Sequence, residues 1–132
     1  MVAEIKVNSG KRNEFIDITQ EIARLVKESG VKEGVCVVYC PHTTAGITIN
    51  EGADPDVQKD LLERFSKMVP KDGSYRHSEG NSDSHIKSSL IGASEIVFIE
   101  NGKLILGKWQ SIYFAEFDGP RQRKAIVKII KG

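Results

Sequence analysis

A chain of 132 residues is the size of one ordinary domain, so we expect a single domain over residues 1–132 that needs neither disulfides nor a structural metal to bury its core. Nineteen Lys plus Arg and eighteen Asp plus Glu give a net charge of +1, which does not favour a nucleic-acid or membrane partner. No apolar run approaches the ~20 residues of a membrane span, and the first residues lack a signal-peptide pattern. This predicts a cytoplasmic protein.

The spacing of apolar residues along the chain predicts eight strands and three helices. Alternation or a short apolar run marks each strand, and apolar residues at helical spacing mark each helix. The expected strands cover residues 2–7, 14–16, 35–40, 47–50, 95–99, 103–106, 111–117 and 123–130, and the expected helices cover 18–29, 55–69 and 82–91. Asp17 and Asp54 are the expected N-caps of the first two helices. Cys36 and Cys40 share a strand face but lie too far apart along it for a disulfide.

This order of elements is typical of an α+β fold in which two packed, mostly antiparallel sheets are flanked by helices. Three finer expectations follow. Strand 47–50 pairs with strand 35–40, and the strands after residue 94 form an antiparallel meander with a type I′ turn at Asn101-Gly102. The third helix turns Ile86 and Leu90 inward. Its other face is then a stripe of small and polar residues that leaves room for a ligand: Ser82, His85, Ser89 and Gly92.

All three histidines lie in two dense polar runs, residues 40–46 and 76–85, and we expect these two runs to meet in space. Neutral imidazole is the commonest metal ligand in proteins, so His42, His77 and His85 predict a divalent metal site, with zinc as the preferred ion. The histidines lack the helical spacing of a metalloprotease motif. The alternative is that they are ordinary loop or surface histidines.

Carboxylates near the histidines are candidates for proton transfer. We select Glu51 and Asp83 as the catalytic candidates, and Glu79 is a further possibility. The alternatives are a strand-end surface position for Glu51, a helix-dipole role for Asp83 and a solvated Glu79.

A phosphate site is predicted beside His42, where hydroxyls, the flexible backbone of Gly46 and a helix N-terminus come together. Arg76 and Arg121 match a phosphate in charge, although an arginine beside a turn is often a solvated surface group. Trp109 is expected to be a core or interface anchor. The predicted substrate- or phosphate-binding residues are Thr43, Thr44, Ser89, Gln110 and Arg121.

Several motifs of this chain occur together in one family. They are Pro41-His42-Thr43-Thr44-Ala45, Asn50-Glu51, Asp54-Pro55-Asp56-Val57, the run from His77 to His85, Gly107-Lys108-Trp109-Gln110 and Phe117-Asp118-Gly119-Pro120-Arg121. Over nearly its whole length the chain resembles the small YjbQ-type family, to which a secondary thiamine-phosphate synthase activity is attributed. One departure is Lys108, where the family usually has threonine, so a hydroxyl at this position is replaced by a positive charge.

The resemblance implies an α+β sandwich that forms a homotrimer through its sheets, with a metal-binding histidine site near a subunit interface. It also implies a reaction in which hydroxymethylpyrimidine diphosphate and thiazole phosphate give thiamine phosphate and pyrophosphate. The leading hypothesis is therefore a transferase in which the metal binds a phosphorylated substrate and Thr43, Thr44 and Arg121 assist the phosphate. The alternatives are a non-enzymatic trimeric protein that binds a phosphorylated metabolite and a metal-dependent hydrolase.

Overall fold

The computed structural model describes residues 2–132. In chain order the elements are β1 (Val2–Asn8), β2 (Glu14–Asp17), α1 (Thr19–Ser29), β3 (Gly34–Tyr39), β4 (Ala45–Glu51), α2 (Pro55–Met68), α3 (Ser82–Ile91), β5 (Ser94–Glu100), β6 (Lys103–Leu104), β7 (Gln110–Glu116) and β8 (Gln122–Lys131). Over this range, no helix combines the length and apolar character that crossing a bilayer requires.

The strands form two antiparallel sheets, which confirms the expected α+β class. The large sheet has the order β1-β8-β3-β5-β6 and the small sheet has the order β2-β7-β4. Two expectations about pairing were wrong. β4 pairs with β7 and not with β3, and the C-terminal strands do not form a meander, because β7 belongs to the small sheet while β8 lies between β1 and β3. Apolar alternation marks a strand but carries no information about its neighbour.

The main core lies between the two sheets, and a second, smaller core lies on the other side of the small sheet. β7 contributes side chains to both cores. Ile112 and Phe114 point into the main core beside Ile22 of α1, whereas Tyr113 and Ala115 point to the opposite face. Because side chains alternate along a strand, one apolar strand serves both layers. On that opposite face α2 packs with partly buried side chains, and none of its residues is fully buried.

The helix ends follow local chemistry. α2 begins as expected, with the Asp54 carboxylate accepting a hydrogen bond from the Asp56 amide. α1 differs by one residue, since its N-cap is Ile18, but the Asp17 carboxylate still accepts a hydrogen bond from the Thr19 amide at 2.9 Å. Gly30 ends α1 in the left-handed conformation that glycine adopts most easily.

The large sheet leaves an apolar surface uncovered on the side away from the core. β3 is central to it. On one side Val35 and Val37 face Phe98 and Ile96 of β5, and on the other side Val35 and Tyr39 face Ile130 and Ile126 of β8 while Val37 faces Lys128. We call this surface the outer face. Its apolar side chains are Val35, Val37, Tyr39, Ile96, Phe98, Ile126 and Ile130, and the exposed Lys128 lies among them. Ile96 is 62% exposed and Phe98 is 61% exposed, and a contiguous patch of this kind is typical of an interaction surface.

Candidate functional site

The structure brings the two polar runs together at a cleft of about 370 Å³, which is lined by His42 and His85 and which we call the histidine cleft. Residues 41–44 line it from one side, and Glu79 and His85 line it from the other. The turn before β8 adds Asp118 and Arg121. Residues far apart in sequence therefore converge on one polar pocket, and the meeting of the two runs that the sequence predicted is present.

The run 40–46 lies here because the chain crosses from the large sheet to the small one. The Cys40 amide donates to the Ala93 carbonyl at 2.7 Å, and the Ser88 hydroxyl donates to the Thr43 carbonyl at 2.6 Å. Position 46 needs glycine because the backbone passes close to Gly92, and a Cβ at this position would lie 2.6 Å from the Gly92 carbonyl oxygen. Backbone flexibility is not the reason. These contacts fix the crossing segment against the end of α3.

A buried ion pair forms the floor of the cleft. Arg123 donates through Nε to Glu116 Oε1 at 2.8 Å and through Nη2 to Thr44 Oγ1 at 2.8 Å. Ser9 adds a hydrogen bond to Glu116 at 2.7 Å. Burial opposes the charged form of Glu116, but these hydrogen bonds hold its pKa below the ordinary value. The Thr44 hydroxyl is thus engaged by the framework, whereas Thr43 is exposed at the cleft.

His42 is held on two sides. Its Nε2 accepts a hydrogen bond from the Lys124 amide at 3.1 Å, and its ring meets the buried Phe114 ring edge-on at 6.2 Å between centroids. Burial, followed by the nearby charge of Arg123, lowers the pKa of His42. This lowered pKa favours the neutral form of the His42 imidazole.

The other two histidines contact each other. The rings of His77 and His85 meet edge-on, with centroids 5.4 Å apart. His77 Nε2 lies 3.1 Å from the Asn81 side-chain oxygen, and Asn81 in turn donates to Asp118 at 2.9 Å. His85 also lines a neighbouring cleft of about 490 Å³ together with His77 and Arg76. His85 thus separates two adjoining pockets, while His77 belongs to the second.

Arg121 lines the histidine cleft with its guanidinium anchored. Nε donates to the Asp118 carbonyl at 2.7 Å and Nη2 donates to the Asp118 carboxylate at 2.9 Å. These bonds use Nε and Nη2, so Nη1 can donate to an anion in the cleft. The side chain is 53% exposed, which keeps it accessible to a ligand.

The orientation of α3 differs from the sequence expectation. Ile86 and Leu90 point outward, with 40% and 61% exposure, and the buried residues are Asp83, Ser84, Lys87 and Ser88. Asp83 accepts hydrogen bonds from Arg12 and Lys87 and lines neither cleft. Its carboxylate is fully engaged in attaching α3 to the β1–β2 loop, so the structure does not present it to a ligand.

Three further predicted residues also lie outside the cleft. Ser89 is exposed and its hydroxyl donates to the His85 carbonyl. Glu51 and Gln110 pair with each other at the far end of the small sheet, where Trp109 is 56% exposed. β4 has seven residues, and at about 3.3 Å per residue it separates Glu51 from the cleft by roughly 20 Å. Within one chain, Glu51 and Gln110 do not reach the histidines.

Three polar residues that line the cleft were not selected from the sequence: Asn81, Asp118 and Arg123. Glu116, the buried partner of Arg123, was not selected either. The sequence contains a signal for the Glu116–Arg123 pair, because Glu116 interrupts the apolar residues of predicted strand 111–117 and Arg123 begins predicted strand 123–130. No local signal identifies Asn81, whose role depends on Asp118, 37 residues away.

The arrangement does not fit a metal centre made of all three histidines. Among residues 2–132, no group of three or more His, Cys, Asp or Glu side chains is placed to hold a metal ion. Because His42 Nε2 already accepts a hydrogen bond from the Lys124 amide, His42 would have to bind a metal through Nδ1. The ring proton would then lie on Nε2 and face the Lys124 N–H, which is a donor. Ligating histidines normally direct that proton at an acceptor.

Comparison with known proteins gives one consistent result. A family model described as UPF0047 protein YjbQ-like matches residues 3–132. The UPF0047 protein YugU of Bacillus subtilis is 53% identical over 98% of this chain and 99% of its own length. The crystal structure of an uncharacterised YjbQ/UPF0047 protein from Clostridium acetobutylicum superposes with a TM-score of 0.96 at 58% identity, covering 97% of this chain and 99% of the other. A YjbQ-like protein of unknown function from Sulfolobus solfataricus gives a TM-score of 0.96 at 30% identity over 100% of this chain and 97% of the other. The chain therefore belongs to the YjbQ-like UPF0047 family.

Proposed function

We propose that this protein is a transferase that acts on small phosphorylated metabolites at the histidine cleft, and that one of its reactions is the formation of thiamine phosphate. The observation that carries the proposal is the convergence of His42, His85 and Arg121 from three distant parts of the chain on one polar pocket. Imidazole and guanidinium groups are the side chains that best bind and polarise phosphate oxygens.

The chemistry of the reaction requires stabilisation of negative charge. Hydroxymethylpyrimidine diphosphate loses pyrophosphate, which leaves with the electron pair of the breaking carbon–oxygen bond, while the thiazole nitrogen forms the new bond to carbon. Donors held in place before the reaction stabilise the departing charge without reorganisation. Arg121 is anchored by Asp118, and Thr43 supplies an exposed hydroxyl beside it.

The test is thiamine-phosphate formation by purified protein from the two phosphorylated substrates. Arg121→Ala and His85→Ala are expected to lower kcat/KM by about a hundredfold, the usual effect of removing one such donor. Arg24→Ala is the control, since Arg24 pairs with Glu28 on the exposed face of α1. Turnover that is unaffected by both cleft variants refutes the proposal.

The same preparation separates a transferase from a binding protein. A phosphorylated metabolite that raises the unfolding temperature progressively as its concentration increases above its Kd, yet is never converted, supports a binding function. Product from generic phosphate esters supports a hydrolase. Both outcomes contradict the transferase proposal while keeping the cleft as the site.

The divalent metal predicted from the sequence remains a prediction, and no step above depends on it. The His77–His85 pair is the part of the predicted set whose rings lie in contact. Elemental analysis of purified protein, with His77→Ala as the comparison, checks it. Stoichiometric zinc that is lost in the variant supports the prediction, and metal-free active protein contradicts it.

We also propose that the functional unit is a homotrimer in which the outer face is covered by other copies of the chain. Support comes from the exposed apolar side chains of that face, among them Ile96 and Phe98, which a monomer would leave in water. Light scattering should give three chain masses for the wild type and a smaller particle for Phe98→Asp. Met68→Asp is the matched control, because Met68 is equally exposed, at 61%, but lies on α2. A monomeric wild type refutes the proposal.

We place the protein in the cytoplasm. Support comes from Cys36 and Cys40, two free thiols in the core, which are compatible with a reducing compartment. Fractionation of cells that express the native protein tests this, and recovery outside the cytoplasm refutes it.

A further inference from the structure

β8 extends beyond the end of its neighbour β3. Beyond that end, the His42 side chain lies beside β8 where a longer β3 would have continued. β3 pairs with β8 from Gly34 opposite Lys131 to Tyr39 opposite Ile126, so the first residues of β8 have no β3 partner. Lys124 lies in this segment: it pairs with Lys6 of β1 on one side, and on the side of β3 its amide donates to His42 Nε2 at 3.1 Å. The imidazole thus takes the position of a strand carbonyl.

A backbone N–H can only donate, so His42 Nε2 must offer its lone pair. A neutral imidazole carries one proton, which is then on Nδ1. Protonation of Nε2 would place two donors face to face, and the buried charge of Arg123 beside the ring opposes a second proton. Because the Phe114 contact also restrains the ring, the fold selects one tautomer of His42.

We infer that His42 acts in the cleft as a fixed hydrogen-bond donor, through Nδ1–H, to an oxygen of a bound phosphate or diphosphate. This assignment rests on the proposed function for the class of ligand. It differs from the roles usually given to such a histidine, since Nδ1–H can neither accept a proton nor bind a metal ion. The same backbone contact that excludes His42 from a metal centre gives it this donor role.

Ring-nitrogen NMR of the full-length protein, labelled with ¹⁵N, measures the tautomer directly. At pH 7.5 the His42 ring is expected to show a protonated Nδ1 and an unprotonated Nε2, with the His42→Gln spectrum providing the assignment. Added pyrophosphate should shift the Nδ1–H resonance, and added Zn²⁺ alone should leave both His42 nitrogens unchanged. A proton on Nε2, a direct zinc effect on the ring or no response to pyrophosphate would overturn the inference.

Two substitutions of His42 distinguish the roles of its two ring nitrogens. Asparagine carries an N–H₂ donor near the position of Nδ1, whereas glutamine reaches the position of Nε2 and can accept from the Lys124 amide but has no donor at the δ position. His42→Asn should bind pyrophosphate within about threefold of the wild type, and His42→Gln should bind about tenfold more weakly, the effect of one charge-assisted hydrogen bond. Circular dichroism and the unfolding temperature confirm that both variants fold.

Equal binding by the wild type and His42→Gln would refute the donor role. Neither experiment depends on turnover. If the protein makes no thiamine phosphate, the transferase proposal fails, while the tautomer and the pyrophosphate shift still decide the role of His42.

Discussion

Replacing Asp83 by asparagine should remove a large part of the stability of this protein. The Asp83 side chain is fully buried, and its oxygens lie 2.9 and 3.0 Å from the two terminal nitrogens of Arg12 and 2.9 Å from Lys87 Nζ. Lys87 is only 2% exposed, so the substitution leaves a buried ammonium group without its counter-charge. Breaking a buried pair in this way costs about 3–5 kcal/mol, compared with a total of about 5–15 kcal/mol for a typical domain.

The pH dependence of this effect provides a second, independent measurement. Burial by itself would raise the pKa of Asp83, but hydrogen bonds from Arg12 and Lys87 lower it from 3.8 to about 2. The depressed pKa contributes stability that is complete above the unfolded value and is lost as the pH falls through 3.8 towards 2. Full protonation would remove about 2 kcal/mol, and about 1 kcal/mol is already lost at pH 3.

Urea unfolding followed by circular dichroism at pH 7, 4 and 3 tests both statements. The free energy of unfolding of Asp83→Asn should lie about 3–5 kcal/mol below the wild type at pH 7, and the difference should narrow by about 1 kcal/mol at pH 3. Glu28→Gln is the matched control: it removes an exposed helix ion pair with Arg24 and should change stability by less than about 0.5 kcal/mol. A difference below about 1 kcal/mol for Asp83→Asn, or one that does not depend on pH, would refute this reasoning.

Three further predictions concern the core and the crossing segment. Burial raises the pKa of both thiols, Cys36 and Cys40, to about 11, so Ellman's reagent at pH 8 should react with them only after unfolding; rapid labelling of the native protein would contradict their burial. Ser88→Ala removes the hydrogen bond to the Thr43 carbonyl and should cost about 1–3 kcal/mol in thermal unfolding and weaken pyrophosphate binding; unchanged values would show that this bond does not position the segment. Gly46→Ala places a Cβ 2.6 Å from the Gly92 carbonyl oxygen at the end of α3 and should lower the free energy of unfolding by about 1–3 kcal/mol. A neutral or stabilising result in the same assay would disprove the close approach of these two backbone segments.

The features that were predictable from the sequence are those set by nearby residues. Asp54 and Pro55 define the start of α2 through a cap and a fixed φ, and both act within a few residues. The Asn101-Gly102 turn was likewise confirmed, with positive φ at both residues. The histidine cleft was partly predictable, because the unusual density of histidines and hydroxyls marks residues 40–46 and 76–85.

The features that escaped prediction depend on distant partners. Asp83 and Lys87 are four residues apart, a spacing typical of an exposed helix surface, and only Arg12, 71 residues away, makes the pair compatible with burial. Ile86 and Leu90 were therefore assigned to the wrong side of α3. For the same reason Glu51 and Gln110 could not be placed, because their distance from the cleft follows from strand pairing and not from their neighbours in sequence.

The attachment of α2 has a consequence for how the protein opens. This helix is well defined by its own sequence, yet it packs on the outer side of the small sheet through partly buried side chains alone. Segments that bury little apolar surface exchange their amide hydrogens through local opening, well below the free energy of global unfolding. α2 should then be an early site of hydrogen exchange and of proteolytic nicking, while the sheets beneath it stay protected.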